Sequence, residues 1–160
     1  MSKYGQITLY ACGGAGVNVA KFFEKYRKTS QDDHPDDQAF ARITPVYIDT
    51  SRSNLRGDVP EDSTYVIQGL DGSGKVRREN ADAITQCTLD ILQKHKPANV
   101  SIVISSAAGG SGSVIAPSIV SELLERGKTV IVCAIGSEDS RIELENTSKT
   151  IKTYESIAKM

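Results

Sequence analysis

The stretch SSAAGGSGSVIAPS, residues 105–118, joins an almost wholly apolar run, NVSIVIS (99–105), to apolar residues at helical spacing. The run reads as a strand covered on both faces, and the spacing after it as a helix. Between them, Gly109-Gly110-Ser111-Gly112 is nearly bare backbone. Glycine lets backbone come close to a ligand, and a helix N-terminus offers unpaired N–H groups with partial positive charge. Together they form an anion nest, whose usual guest is phosphate. A tight strand–helix turn with no ligand would use the same glycines. Pro117 has no N–H and fits within about the first turn of a helix, which puts the helix start near Ser113. The amides of residues 110–114 are then expected to face the contents of the loop, with Ser111 and Ser113 adding hydroxyls.

Outward from this stretch the chain alternates in period. Strands are expected at 6–12, 42–49, 63–68, 99–105 and 129–136. Helices are expected at 15–28, 77–95, 113–126 and 142–160. Pro45 predicts an edge position or a bulge for the second strand. The inward helix residues are read as Val19, Phe22, Phe23 and Tyr26; then Ala81, Ile84, Thr88, Ile91 and Leu92; then Ala116, Ile119, Val120, Leu123 and Leu124; and last Ile151, Tyr154, Ile157 and Ala158. Gly127 stands where a C-cap belongs, and 29–38 reads as an acidic surface loop. The alternation implies an α/β fold, a mostly parallel sheet with helices on both faces. Ligands of such sheets bind beyond the carboxyl ends of the strands. Glycine-rich loops at 13–16, 69–74 and 109–112 all follow strands, so they are expected to share one rim.

Composition narrows the class. With 160 residues, 39% of them hydrophobic and 24% charged, the chain suits one globular domain. A net charge of -1 gives no basic field for direct nucleic-acid binding. No apolar run approaches the ~20 residues that span a bilayer, and the N-terminus lacks a signal peptide's apolar core. These readings predict a cytoplasmic protein without a membrane partner. Cys12, Cys87 and Cys133 are odd in number and far apart, so they are expected to be reduced and mostly buried. His34 and His95 are expected to be solvent-exposed. No metal-ligand spacing occurs.

Two common phosphate motifs fail on particular residues. The dinucleotide fingerprint needs a small residue where Gly14-Ala15-Gly16-Val17-Asn18 leads to Val19, so a nicotinamide cofactor is not expected. Gly69-Leu70-Asp71-Gly72-Ser73-Gly74-Lys75 follows the P-loop pattern until Val76 replaces the Mg²⁺-binding hydroxyl, and Asp71 would oppose phosphate. A P-loop enzyme using Lys75 remains the alternative.

Ala108-Gly109-Gly110-Ser111-Gly112-Ser113 resembles the signature loop of the tubulin/FtsZ superfamily, G-G-G-T-G-S/T-G, with Val114 in place of its last glycine. Cys12-Gly13-Gly14-Ala15-Gly16-Val17-Asn18 is similar to that family's first nucleotide loop. Asp49-Thr50-Ser51-Arg52-Ser53-Asn54-Leu55 is similar to its second, and Gly69-Leu70-Asp71-Gly72-Ser73-Gly74 to its third. Glu143 and Asn146 match the E-x-x-N that holds ribose in tubulins. The motifs keep the family's order across the whole chain. Serine in the signature loop and the closing TYESIAK resemble the tubulin-like PhuZ group of large bacteriophages.

The resemblance implies a GTP/GDP site, with Mg²⁺ accompanying GTP. Gly13, Gly14 and Ala15 would meet the α- and β-phosphates, and Asn18 the guanine edge. Gly109, Gly110, Ser111, Gly112 and Ser113 would wrap the phosphates, and Gly72, Ser73 and Gly74 would sense the γ-phosphate. Glu143 would accept from the ribose hydroxyls beside Asn146. Family members are about twice as long. A further strand, a long central helix and a second domain would follow the last helix here. The carboxylate that activates water for a neighbouring subunit's GTP lies in that missing part. Residues 1–160 are therefore expected to be an incomplete GTP-binding domain with no catalytic residue of its own. The implied function is a GTPase that polymerises head to tail and positions phage DNA in the host cytoplasm. A non-hydrolysing filament regulator is the other alternative.

Overall fold

In a computed structural model, residues 5–31, 41–57, 59–68 and 81–159 are described. The order is β1 (Gly5–Cys12), α1 (Gly13–Gln31), β2 (Ala41–Asp49), β3 (Thr64–Val66), α2 (Ala81–Lys94), β4 (Val100–Ser106), α3 (Gly112–Glu125), β5 (Thr129–Ile135) and α4 (Arg141–Ile157). Short 3-10 turns at Arg52–Leu55 and Glu61–Ser63 bridge β2 and β3. The strands form one sheet in the order β3-β2-β1-β4-β5, and every pairing is parallel. The expected α/β class is observed. The third glycine loop, Lys75, His34 and most of the acidic 29–38 segment lie outside the described residues.

Strand alternation divides the core between the two faces. Tyr10, Cys12, Val46, Ile48 and Val103 point to a face covered by α2 and α3, with Tyr154 and Ile157 of α4 packed on the same cluster. Leu9, Ala11 and Tyr47 point to the other face, under Val17 and Ala20 of α1. Ile84, Ile91 and Leu92 of α2 are fully buried, each contributing about 1.5–3 kcal/mol relative to exposure. α3 ends as expected at Gly127, whose φ is +67°. The amides of Gly127 and Lys128 return to the carbonyls of Leu124 and Leu123 at 2.9 and 3.0 Å, a Schellman closure.

α1 turns a different face to the sheet than its large residues predict. A Cβ on Gly16 would lie 2.5 Å from the Ile104 carbonyl oxygen, so helix and strand run backbone against backbone. Only small residues fit below so close a helix. Val17 and Ala20 are buried, while Val19 and Phe22 are exposed and Phe23 is at the boundary. The third glycine of the dinucleotide fingerprint is thus replaced by Gly16, one turn earlier.

Other expectations shift for equally local reasons. Pro45 is in an inner strand, not at the sheet edge, but β3 pairs only with Tyr47–Asp49, so the sheet ends beside Pro45 on that flank. β5 is not a buried strand. Ile131, Cys133 and Ile135 register with Ile102, Ile104 and Ser106, on the α1 face, where no described helix reaches β5. Ile131 is 49% exposed and Ile135 43%, and Cys133 is exposed while Cys12 is buried. Leu124 and Ile151 are also exposed. His95 is half-buried, and its Nε2 is enclosed without a hydrogen-bond partner. Burial, with Lys94 beside it, lowers its pKa.

Two measurements check this packing. Gly16→Ala forces a backbone shift, and overpacking of this kind costs about 1–3 kcal/mol; urea unfolding reads the loss as a lower midpoint. Burial raises the Cys12 thiol well above its ordinary pKa, with Asp49 adding to the effect. An aromatic disulfide reagent at pH 8 should modify Cys133 rapidly and Cys12 only on unfolding.

Candidate functional site

In an all-parallel sheet every strand points its carboxyl end at one rim. Here the chain runs from β1 outward to β3, then crosses back to β4 on the other side of β1. The switch point of the sheet is therefore the gap between the ends of β1 and β4. α1 leaves β1 onto one face and α3 leaves the β4 loop onto the other. A ligand crevice belongs at this place.

The two loops touch there through backbone. Gly13 has φ +73°, and a Cβ on it would lie 2.8 Å from both Cα and N of Gly112. A Cβ on Gly112 would lie 2.8 Å from the Cys12 carbonyl oxygen. These glycines are required by each other before any ligand is considered. Their contact sets the N-termini of α1 and α3 side by side. Neither helix has an acidic residue in its first turn, so two positive dipole ends, each about half a charge, meet at one point.

The second loop closes the side of the rim. Asp49, last in β2 and 1% exposed, accepts at Oδ1 from the amides of Thr50 (2.7 Å) and Ser51 (3.4 Å). The Ser111 hydroxyl reaches the same oxygen at 3.3 Å, and Asn54 Nδ2 donates to Oδ2 at 2.6 Å. Asn54 also abuts Gly14, where a Cβ would sit 3.0 Å from its Nδ2. Lys21 of α1 supports this loop by donating to the carbonyls of Asn54 (2.8 Å) and Arg56 (3.1 Å).

The signature stretch is held from both ends. The Ser106 hydroxyl accepts from the amides of Ala108 and Gly109 at 3.2 and 3.1 Å. Asn146 Nδ2 donates to the Ala108 carbonyl at 3.1 Å, and the Thr150 hydroxyl lies 2.9 Å from the Ala107 carbonyl. α3 begins at Gly112, with Ser111 as its cap residue. Pro117 is then the sixth helical residue, one deeper than a start at Ser113 would make it. The Val114 amide, expected to be free, donates to the Ser111 carbonyl at 3.0 Å. The Ser113 hydroxyl is buried and donates to the Gly110 carbonyl at 3.3 Å.

The sequence-predicted residues fall as follows. Gly13, Gly14, Ser111, Gly112 and Ser113 meet at the switch point, with Gly109 and Gly110 in the same loop. Ala15 and Asn18 are exposed on the opening turns of α1. Glu143 is in the first turn of α4, where its amide donates to the capping Ser140 hydroxyl at 3.3 Å and its Oε2 accepts from Ser137 at 3.1 Å. Asn146 is buried and engaged with the loop backbone. Gly72, Ser73 and Gly74 lie outside the described residues. Sequence reasoning missed Thr150 and the weight carried by Asp49. A carboxylate closing the apolar run Val46-Tyr47-Ile48 was the available signal.

Sheet order, glycine contacts and paired helix ends define a parallel α/β domain with two helix N-termini meeting at its switch point. No model of a known protein family matches the chain. It is 34% identical over 171 aligned residues to a phage tubulin-like protein of Pseudomonas phage phiKZ, covering 99% of this chain and 47% of that one. Among solved structures, a protofilament of TubZ from bacteriophage PhiKZ superposes with a TM-score of 0.81 at 34% identity, covering 96% of this chain and 45% of that chain. The phage tubulin PhuZ solved with GDP superposes at 0.77 with 26% identity, covering 95% of this chain and 44% of that chain. The chain belongs to the phage tubulin-like proteins. It spans about half the length of the curated relatives it matches.

The glycine contacts separate two substitutions within one loop. Gly112→Ala collides with backbone and should cost about 1–3 kcal/mol in urea unfolding. A Cβ on Gly109 meets nothing closer than Ser106 Cβ at 3.6 Å, so Gly109→Ala should stay within about 0.5 kcal/mol of the parent.

Proposed function

We propose that the rim binds a guanine nucleotide, and that the chain is the nucleotide-binding domain of a longer, filament-forming phage GTPase. The observation that carries this reading is the meeting of two helix N-termini at the switch point. Like dipole ends repel unless an anion lies between them, and a di- or triphosphate supplies that charge. The GDP-bound relative supports guanine as the base.

In this reading Gly13, Gly14 and Ala15 present the start of α1 to the α- and β-phosphates. Gly109 to Ser113 enclose the same phosphates from the start of α3. Asn18, exposed one turn into α1, is placed to meet the guanine edge. Glu143 offers a carboxylate to the ribose, and Asn146 holds the loop that faces it. Gly72, Ser73 and Gly74 sense the γ-phosphate. Mg²⁺ would enter with GTP.

Hydrolysis would be completed at a head-to-tail contact, by a carboxylate of the neighbouring subunit. Such a contact is heterologous and builds an open filament. The filament would position phage DNA in the host cytoplasm without touching it. No described helix is long and apolar enough to cross a membrane.

Calorimetric titration with GTP and ATP tests the site. The parent should bind GTP more tightly than ATP. Gly110→Val, which fills phosphate space, should weaken GTP at least about tenfold. Equal affinity in parent and variant would remove phosphate from this loop.

A further inference from the structure

We infer that Asp49 is the positioning residue of the rim: one carboxyl group that ties the second loop to the signature loop and, through Asn54, to the first, and so sets the three in register for the nucleotide. The inference rests on the nucleotide reading for its purpose and on geometry for its substance. Asp49 is 1% exposed and lies at the end of β2. Its own loop donates through Thr50 and Ser51, the signature loop through the Ser111 hydroxyl, and Asn54 through its amide. Asn54 in turn lies against Gly14 of the first loop. The loops after β1, β2 and β4 are thereby tied to one side chain.

The choice of residue follows from its surroundings. A buried carboxyl group is costly unless donors surround it, and here all the contacts named above donate to it. Asp49 also places acceptor oxygens beside the paired ends of α1 and α3, which offsets part of their mutual repulsion. A leucine at this place would fill the volume, yet it would leave the Thr50 amide and Asn54 without acceptors. Asp49 touches no nucleotide in this scheme. It acts through Ser111 and Asn54.

The Asp49–Asn54 pair permits a test by exchange of roles. Asn54→Asp sets two carboxyl groups face to face and breaks the tie. Asp49→Asn added to it restores an amide–carboxylate pair, and the amide oxygen so introduced still accepts from residues 50, 51 and 111. Amide hydrogen exchange on the ligand-free chain gives the first readout. Asn54→Asp should speed exchange at least about tenfold in three segments, 13–18, 50–55 and 107–114. The double variant should return all three toward the parent. Acceleration confined to residues 50–55, or a double variant no slower than Asn54→Asp, would overturn the inference.

Calorimetry gives the second readout. Asn54→Asp should weaken GTP about tenfold or more while leaving the weak binding of guanosine alone nearly unchanged, and the double variant should recover most of the loss. Equal losses for GTP and guanosine would also overturn it, since a loop-register role acts on the phosphates. If the parent binds no GTP, the nucleotide reading fails, and hydrogen exchange still decides whether Asp49 ties the loops. Urea unfolding of each variant identifies global destabilisation. If Asn54→Asp unfolds, Ser111→Ala replaces it: faster exchange in both 50–55 and 107–114 supports the tie, and a change in 107–114 alone counts against it.

Discussion

The contact between Gly13 and Gly112 governs the site. It lets the first turns of α1 and α3 meet across the switch point of the sheet, on opposite faces, with no side chain between them. A Cβ at either position would lie 2.8 Å from backbone of the other loop, so the two would have to move apart. The same closeness continues down α1, where Gly16 rests on the Ile104 carbonyl. The ends of β1 and β4 are thus held together by absent side chains. The rest of the rim consists of groups that hold the loops in that arrangement: Ser106 and Asn146 on the signature loop, Lys21 and Asp49 on the second.

Both hydroxyls of the signature loop, and its first two amides, already have protein partners. Ser111 is committed to Asp49, Ser113 to Gly110, and the Gly109 amide to Ser106. A loop so engaged is preorganised, and a ligand that fits it loses little of its binding energy to ordering the protein. What remains for an anion is the amides of residues 110–113, which donate to no protein group among the described residues, together with the field of the helix ends. This explains how phosphate could be held without the lysine of a P-loop.

The sheet was legible in the sequence because its strands are short apolar runs separated by punctuating glycines. The register of the helices was harder to read. Phe22 and Phe23 advertised an inward face on α1, but a helix pulled close by Gly16 has room only for Val17 and Ala20. On α4 the buried stripe runs Asn146, Thr150, Tyr154, Ile157, and its upper half is polar because it holds the carbonyls of Ala107 and Ala108. Hydrophobic periodicity has no means of finding a face buried by hydrogen bonding. β5 failed for another reason: an apolar strand is buried only if something lies over it, and composition does not show what does. At the site, the sequence placed the loops after β1, β2 and β4 where the structure has them. The division of labour within them, with glycines facing each other and serines facing the protein, needed coordinates.

The open flank at β5 bears on how the molecule behaves as a substance. TVIVCAI carries neither charge nor proline, and the sheet ends with its outer edge unpaired among the described residues. Segments of this kind add strands readily and stack into cross-β arrays. The margin of the sheet farthest from β3 is therefore where self-association would begin, apart from the rim at which the loops meet.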